Sequence, residues 1–227
     1  MLSKLFVSST SAAFEWQNEL PYYTDKEYVI NLDGAEAYRG NTNVFSIFGL
    51  KPDTEYRLTS DMLEGELVFK TLAESCALSV LDFGAKGDGV TDDSVALQTA
   101  INCLPRGGRL VFPKGVYSTA PLCLKSHITL ELCEGAVILG STDKSRYPVI
   151  PGEIPDLVKG ETVHLGTWEG NAVAMHQALI VAEHAEDITI VGPGTIDGNA
   201  QNSEWWVDVK KYPIGRPRLL FFNRCEL

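Results

Sequence analysis

The chain is short of several features that mark out whole classes of protein. No apolar run approaches the roughly 18 residues that a membrane-crossing helix requires. The opening Met-Leu-Ser-Lys-Leu-Phe-Val has an apolar stretch of only three residues, far below the about 7–15 of a secretory leader. These two lacks point to a cytoplasmic protein without a membrane partner. Basic residues are scarce: 19 Lys and Arg stand against 30 Asp and Glu, a net charge of −11. Nucleic acid demands basic surface, so that partner is excluded. Metal-ligand spacings are missing as well. There is no C-x-x-C, and His127, His164, His176 and His184 make no H-x-x-x-H. Asp88, Asp92 and Asp93 do not follow the D-x-[DN]-x-[DN]-G-x5-E calcium pattern. No metal and no cofactor is expected, and each histidine reads as a surface or satisfied side chain. The five cysteines (Cys76, Cys103, Cys123, Cys133, Cys225) form no paired framework. Four lie in or beside apolar segments, where buried reduced thiols are common, which suits a reducing compartment.

What is present concentrates between Leu81 and Tyr117. Residues 79–83 alternate like a short strand, and Gly84, Gly87 and Gly89 punctuate a tight loop where positive φ is easy for glycine. Thr91 or Asp92 can serve as a helix N-cap, and the acidic pair Asp92 and Asp93 suits the positive end of a helix. Leu97, Ala100, Ile101 and Leu104 then make an i, i+3, i+4, i+7 stripe, giving an amphipathic helix over about 93–104. Pro105, Gly107 and Gly108 end it, and a strand at 109–112 is stopped by Pro113 and Gly115. Further short strands follow at 122–124, 128–132, 137–139, 178–181, 188–191, 195–196 and 219–222. Several begin about ten residues apart, a spacing that fits either a β-sandwich or a solenoid with several strands per coil. The strands are richly apolar rather than strictly alternating, as expected when both faces are partly covered.

The segments L-D-F-G-A-K-G-D-G-V-T-D-D, R-G-G-R-L-V-F-P-K-G-V-Y and I-T-L-E-L-C-E-G-A-V-I-L-G-S resemble the pectin-hydrolase group of right-handed parallel β-helices. Ile188 to Asn199, I-T-I-V-G-P-G-T-I-D-G-N, with the following Trp205 and Trp206 and the later R-P-R-L-L-F, is similar to the polygalacturonases of glycoside hydrolase family 28. The resemblance covers roughly residues 78–227. It implies capped N-terminal coils of a right-handed parallel β-helix, the amphipathic helix covering the open end of the solenoid.

Residues 1–73 have a different character. Phe14 and Trp16 share one face of a strand, and further strands are read at 28–32, 44–47 and 67–69. Gly49 to Tyr56, G-L-K-P-D-T-E-Y, resembles the fibronectin type III loop that carries a tyrosine corner, in which the Tyr56 hydroxyl bonds back to nearby backbone. The expected architecture is therefore all-β: a short fibronectin type III-like sandwich at 1–73, a linker at 71–77, and a truncated β-helix over 78–227.

The family resemblance implies inverting hydrolysis of α-1,4-galacturonosidic bonds, with one carboxyl protonating the leaving oxygen and others activating water. It places the catalytic residues in N-T-D, G-D-D or Q-D-D, G-H-G and R-I-K motifs, the carboxylates in the first of these, and none of the motifs occurs in the 227 residues. No catalytic residue is carried over, and the chain is expected to be an N-terminal portion of such an enzyme, inactive alone. With residues 219–222 on an uncovered layer, self-association is expected too.

Binding residues remain to be sought. The implied substrate is an acidic polysaccharide, so a chain this negative must gather positive charge locally. Lys210, Lys211, Arg216 and Arg218 lie within nine residues, and an arginine pairs a uronate carboxylate bidentately; the bland alternative is a solvated loop. Trp168 and Glu169, in a long polar insertion over 152–177, resemble a segment that borders the sugar cleft. A Trp face stacks on a pyranose and a carboxylate accepts sugar hydroxyls, or Trp168 simply pins the loop. The expected substrate-binding residues are Trp168, Glu169 and Arg216, with Trp205 and Trp206 in packing roles and Asp197 at a corner. Two other readings remain open: a non-catalytic carbohydrate-binding or tail-spike-like solenoid, and an interaction protein whose sandwich docks a partner.

Overall fold

The computed structural model describes residues 1–156, 159–206 and 214–226, so Lys210 and Lys211 lie outside the described residues. The chain divides into two compact units, Met1–Ser75 and Cys76–Leu227.

The first unit holds two antiparallel sheets. One contains Leu2–Val7, Ser11–Trp16 and Val44–Phe48, and the other runs Ala35–Thr42, Tyr23–Leu32, Glu55–Ser60, Leu67–Lys70. Strand alternation turns Phe14, Trp16, Tyr28, Ile30, Phe45, Ile47, Leu58 and Phe69 inward, where all are buried. Their rings interlock: Phe14 stands 5.2 Å edge-on to Phe69, and Trp16 5.5 Å edge-on to Tyr28. The Tyr56 hydroxyl accepts the Lys51 N–H at 2.8 Å, the tyrosine-corner bond expected from the loop motif. The strand Ala35–Thr42 was not anticipated, because only Tyr38 supplies a large apolar body. Its signal was the preceding Asp33-Gly34, whose φ values of 49° and 84° make the left-handed hairpin turn that this dipeptide favours. Thr71 belongs to this unit rather than to a linker: it is buried, and its hydroxyl donates to the Lys51 carbonyl at 2.6 Å.

The second unit is a parallel β-helix. Three parallel sheets run the length of its coils. One stacks Ala77–Ser79, Gly108–Phe112, Ile128–Leu132 and Ile188–Val191; another Asp88–Asp92, Gly115–Thr119, Ala136–Gly140 and Thr195–Asp197; the third Leu122–Cys123, Ile180–Glu183 and Leu220–Asn223. The register places like on like. Leu110 sits over Leu130 and Leu130 over Ile190, and Tyr117 over Ile138 and Ile138 over Ile196. Each fully buried leucine in such a ladder contributes roughly 2 kcal/mol. The strand Gly115–Thr119 was missed because Pro113 and Gly115 read as a stop; they mark a corner between two sheets. At Gly192, φ is +109° and a Cβ would collide with the Leu132 carbonyl, so the V-G-P-G corner requires glycine there.

The helix runs Ser94–Cys103 and buries Leu97, Ala100 and Ile101 against the coils. Its N-cap is Asp93, not Thr91 or Asp92. The buried Asp93 carboxylate instead accepts the Lys86 and Gly87 N–H groups at 2.7 and 3.0 Å, tying down the glycine loop. Gly84, Gly87 and Gly89 all have positive φ, as expected of that loop. Asp88 is occupied by its own turn, accepting Val90 N–H, Thr91 N–H and the Thr91 hydroxyl. Gln98 performs a separate task at the open edge of the third sheet. Its amide accepts the Cys123 N–H at 2.8 Å and donates to the Cys123 carbonyl at 2.9 Å, standing in for a missing neighbouring strand.

The cysteines depart from expectation. All five are free thiols, yet Cys103, Cys123 and Cys225 are exposed and Cys76 and Cys133 half-buried. They neighbour apolar residues in sequence, but alternation turns them outward: Cys123 follows the buried Leu122, and Cys133 follows Leu132.

Candidate functional site

The insertion at 152–177 is not a wandering loop. Glu153–Asp156 pairs antiparallel with Glu161–His164, Thr167–Trp168 pairs with Asn171–Ala172, and Val149–Ile150 pairs with Met175–His176. Short polar strands of this kind carry no clear period, so sequence gave no warning. A cavity of about 740 Å³ lies against these hairpins, and a second of about 320 Å³ shares Trp205 and Arg216 with it.

Three segments bring the lining together. After the strand Ala136–Gly140, a short 3-10 turn at Lys144–Arg146 is capped by Asp143, which accepts the Ser145 N–H at 2.9 Å. It delivers Lys144, Tyr147, Pro148 and Val149 to the cavity. The hairpin delivers Trp168, half-exposed. Gly215 is clamped to the neighbouring strand, donating to the Ala174 carbonyl at 2.8 Å and accepting the His176 N–H at 2.9 Å. That clamp fixes where the next residue, Arg216, begins. The Arg216 guanidinium carbon lies 3.9 Å from the Trp206 ring centre and 5.8 Å from that of Trp168, both within cation–π range. Arg218 is used differently: its Nη1 donates to the Leu165 carbonyl at 2.8 Å and its guanidinium lies over Phe221, 4.9 Å from the ring centre.

The structure therefore brings Trp168 and Arg216 to one cavity. Glu169 is not part of that lining. It occupies the hairpin turn with φ 49°, followed by Gly170 at φ 82°, and is exposed. The tryptophan pair splits. Trp205 is buried, edge-on to Tyr147 at 5.4 Å and to His176 at 4.9 Å, whereas Trp206 is 63% exposed beneath Arg216. Asp197 accepts the Asn199 N–H at 2.7 Å at a coil corner. Lys144, Tyr147 and His176 were missed as lining residues. They converge from positions about 30 to 70 residues from Trp205 and Arg216, and no local spacing announces that meeting.

Electrostatically the cavity reverses the character of the whole molecule. Lys144 and Arg216 are lining cations, Lys144 standing 5.3 Å from the Trp205 ring centre, and no Asp or Glu appears among the described lining residues. Burial pushes the Tyr147 hydroxyl above its ordinary pKa, so it stays neutral. The walls are otherwise apolar: Pro148, Val149, Val173 and Ile214 join the aromatic rings. Such a site can hold an anionic ligand with a flat apolar face. Its described lining holds no pair of carboxyls that could divide acid and base work.

The coils and their helical lid define a parallel β-helix, and residues 77–133 match the family model of rhamnogalacturonase A/epimerase, pectate lyase-like proteins. The chain is 31% identical over 171 residues to an exo-poly-alpha-D-galacturonosidase of Dickeya chrysanthemi, a match covering 66% of this chain and 26% of that protein. It is 35% identical over 158 residues to the plasmin and fibronectin-binding protein A of Streptococcus pneumoniae, covering 68% of this chain and 20% of the other. Among solved structures it superposes on the family 28 exopolygalacturonase of Yersinia enterocolitica with a TM-score of 0.58 and 24% identity, over 88% of this chain and 40% of that one. Over part of its length, then, the chain is related to the polygalacturonases of glycoside hydrolase family 28, and it spans about a quarter of the Dickeya relative.

Proposed function

We propose that the second unit is the galacturonide-holding part of a pectin-degrading glycoside hydrolase of polygalacturonase type, acting on α-1,4-linked galacturonate. One observation carries the reading: in a chain of net charge −11, this aromatic cavity presents Lys144 and Arg216 and no carboxylate among its described lining residues. Trp168 offers a half-exposed ring for a pyranose face, and Arg216 offers a planar fork for a uronate carboxylate. The similarity to the exo-poly-alpha-D-galacturonosidase of Dickeya chrysanthemi supports the same substrate class. The inverting aspartate motifs do not occur in the 227 residues, so these residues bind without cleaving.

Calorimetric titration with digalacturonate and with neutral galactobiose tests the proposal. Digalacturonate binds and galactobiose does not. Arg216→Ala weakens binding by about tenfold or more, roughly 1.4 kcal/mol, and Arg216→Lys restores little of it because an ammonium lacks the bidentate fork. No reducing ends are released. Equal affinity for the neutral disaccharide would sink the reading. The similarity to the streptococcal protein favours a second one, a solenoid that binds protein. Capture of fibronectin or plasmin by the immobilised chain, unaffected by Arg216→Ala, would support it instead.

A further inference from the structure

The insertion between Val149 and Gln177 has almost no core of its own. Among its described residues, Val163 and Met175 alone are buried apolar side chains. Its knitting is internal and polar. The Gly152 carbonyl accepts the Leu165 and Gly166 N–H groups at 2.8 and 2.9 Å, and the Gly166 carbonyl accepts the Val173 N–H at 3.0 Å. The chain passes so closely there that a Cβ on Gly152 or Gly166 would strike the Val173 backbone. The two hairpins are therefore joined at their base into one piece. A piece with so few buried apolar contacts has little local stability, so its fastenings to the coils decide whether it stays docked.

We infer that Arg218 and Arg224, on the coil of Leu220–Asn223, are positioning residues that clamp the insertion in the docked state which completes the cavity, and that ligand binding and clamping reinforce each other. The inference takes its ligand from the galacturonide reading above. Arg218 Nη1 donates to the Leu165 carbonyl at 2.8 Å, where the two hairpins join. Arg224 pairs with Asp156 at the end of Glu153–Asp156, and that carboxylate side chain is only 10% exposed. Sheltered in this way, the pair is screened little by salt, and losing a partner costs more than at an exposed pair. The same carboxylate accepts the Lys159 N–H at 3.1 Å, so it also ties the hairpin turn. Arg224 has φ 53°, matching His184 at φ 50° one coil earlier, where Glu183 pairs with Asn223. Its backbone direction is thus set by the solenoid corner, independently of the insertion. Neither arginine lines the 740 Å³ cavity, and no described residue of Glu153–His164 does. They act through Val149, Trp168, Val173 and His176, which the insertion contributes to the lining. Undocking would carry those residues away, so a ligand that needs them binds the docked state alone and stabilises it by mass action.

Amide hydrogen exchange on the full chain tests this, because it reads local opening separately from global unfolding. Arg224→Ala is expected to speed exchange across Glu161–His164 by about tenfold or more, while Ile128–Leu132 keeps its protection. Asp156→Asn has the same effect, and Arg224→Lys, which keeps the charge, recovers part of the protection. In the unaltered chain, digalacturonate at about a hundred times its Kd is expected to slow exchange across Glu161–His164 by about tenfold or more, although none of those residues lines the cavity. A clamp with no part in positioning the site would leave that exchange indifferent to the ligand. Should Arg224→Ala fail to fold, the milder Arg224→Lys and Arg218→Ala decide in its place. Unchanged hairpin exchange in the variants, or equal acceleration of hairpin and coils, overturns the inference. So does digalacturonate binding that leaves Glu161–His164 unprotected, and the galacturonide reading then stands. If no uronide binds, that reading fails, while exchange in the variants still decides the clamp.

Discussion

The two units are both all-β, yet their cores are built on opposite rules. In Met1–Ser75 the sheets are antiparallel and the core is aromatic, with Phe14, Tyr28, Tyr38, Phe45 and Phe69 meeting ring against ring at 4.9–5.7 Å. In Cys76–Leu227 the coil sheets are parallel and the core is mostly an aliphatic ladder, each leucine or isoleucine resting on its counterpart one coil away. Rings crossing between two sheets complete a core in one step. A ladder completes nothing by itself, because each rung is covered only by the next. That difference explains why the β-helix spends a helix on a lid and one glutamine on a sheet edge, while the sandwich needs one tyrosine to tie its corner.

The sharpest way to break the comparison is to remove one member from each core. Phe14→Ala should cost about 3–5 kcal/mol and lower the sandwich transition alone; Leu130→Ala should cost about 2–5 kcal/mol and lower that of the β-helix alone. Denaturant unfolding separates them, since Trp16 reports on the first unit and Trp205 on the second. If either substitution shifted both transitions equally, the two cores would be one cooperative body. Gln98→Ala comes next. It strips the Cys123 N–H and carbonyl of their partners, for an expected loss of about 1–2 kcal/mol, and it bares a strand edge. Sedimentation should then show association that grows with concentration, and an unchanged profile would mean that the lid blocks that edge by bulk alone. Tyr56→Phe removes the single bond to the Lys51 N–H, costs about 1 kcal/mol, and is read from the sandwich transition.

How much of this was legible in sequence follows the same divide. The ladder was readable because its strands are short, richly apolar runs set between corner residues, as in I-T-L-E-L and A-V-I-L-G. The tyrosine corner was readable because its donor and acceptor lie five residues apart. Arg216 was singled out from residue chemistry and Trp168 from the family resemblance together with its stacking ring, but their shared cavity depends on the Gly215 clamp and the hairpins of the insertion. Those hairpins are two to four residues per strand and largely polar, so no periodicity exposes them. Asp93 shows the limit most plainly. Its charge suited the positive end of the helix, with Thr91 or Asp92 expected as the cap, while its carboxylate is spent on backbone N–H groups six and seven residues upstream.

The smallest expected effect concerns charge, where the β-helix supplements its ladder. Partial burial alone would raise the pKa of Asp92, but the Arg146 guanidinium at 2.6 Å and the Ser94 hydroxyl and N–H at 2.6 and 3.0 Å outweigh it and hold the carboxyl at about 2, below its ordinary 3.8. A depressed folded-state value stabilises the fold above pH 3.8, and that stabilisation is lost as the pH falls toward 2. Because Asp92 is half-exposed, screening keeps the contribution below about 1 kcal/mol. Asp88 and Asp143 are depressed by their own turns and also weaken the fold in acid, so the informative quantity is a difference between proteins. The melting temperature of the unaltered chain should fall more steeply from pH 4 to pH 2 than that of Asp92→Asn, the two curves converging at the acid end. Arg146→Ala should flatten the same limb, since it removes the partner that lowers the Asp92 value. Parallel curves across that range would mean that Asp92 is held by solvent and its own turn, and that the ladder alone carries this end of the solenoid.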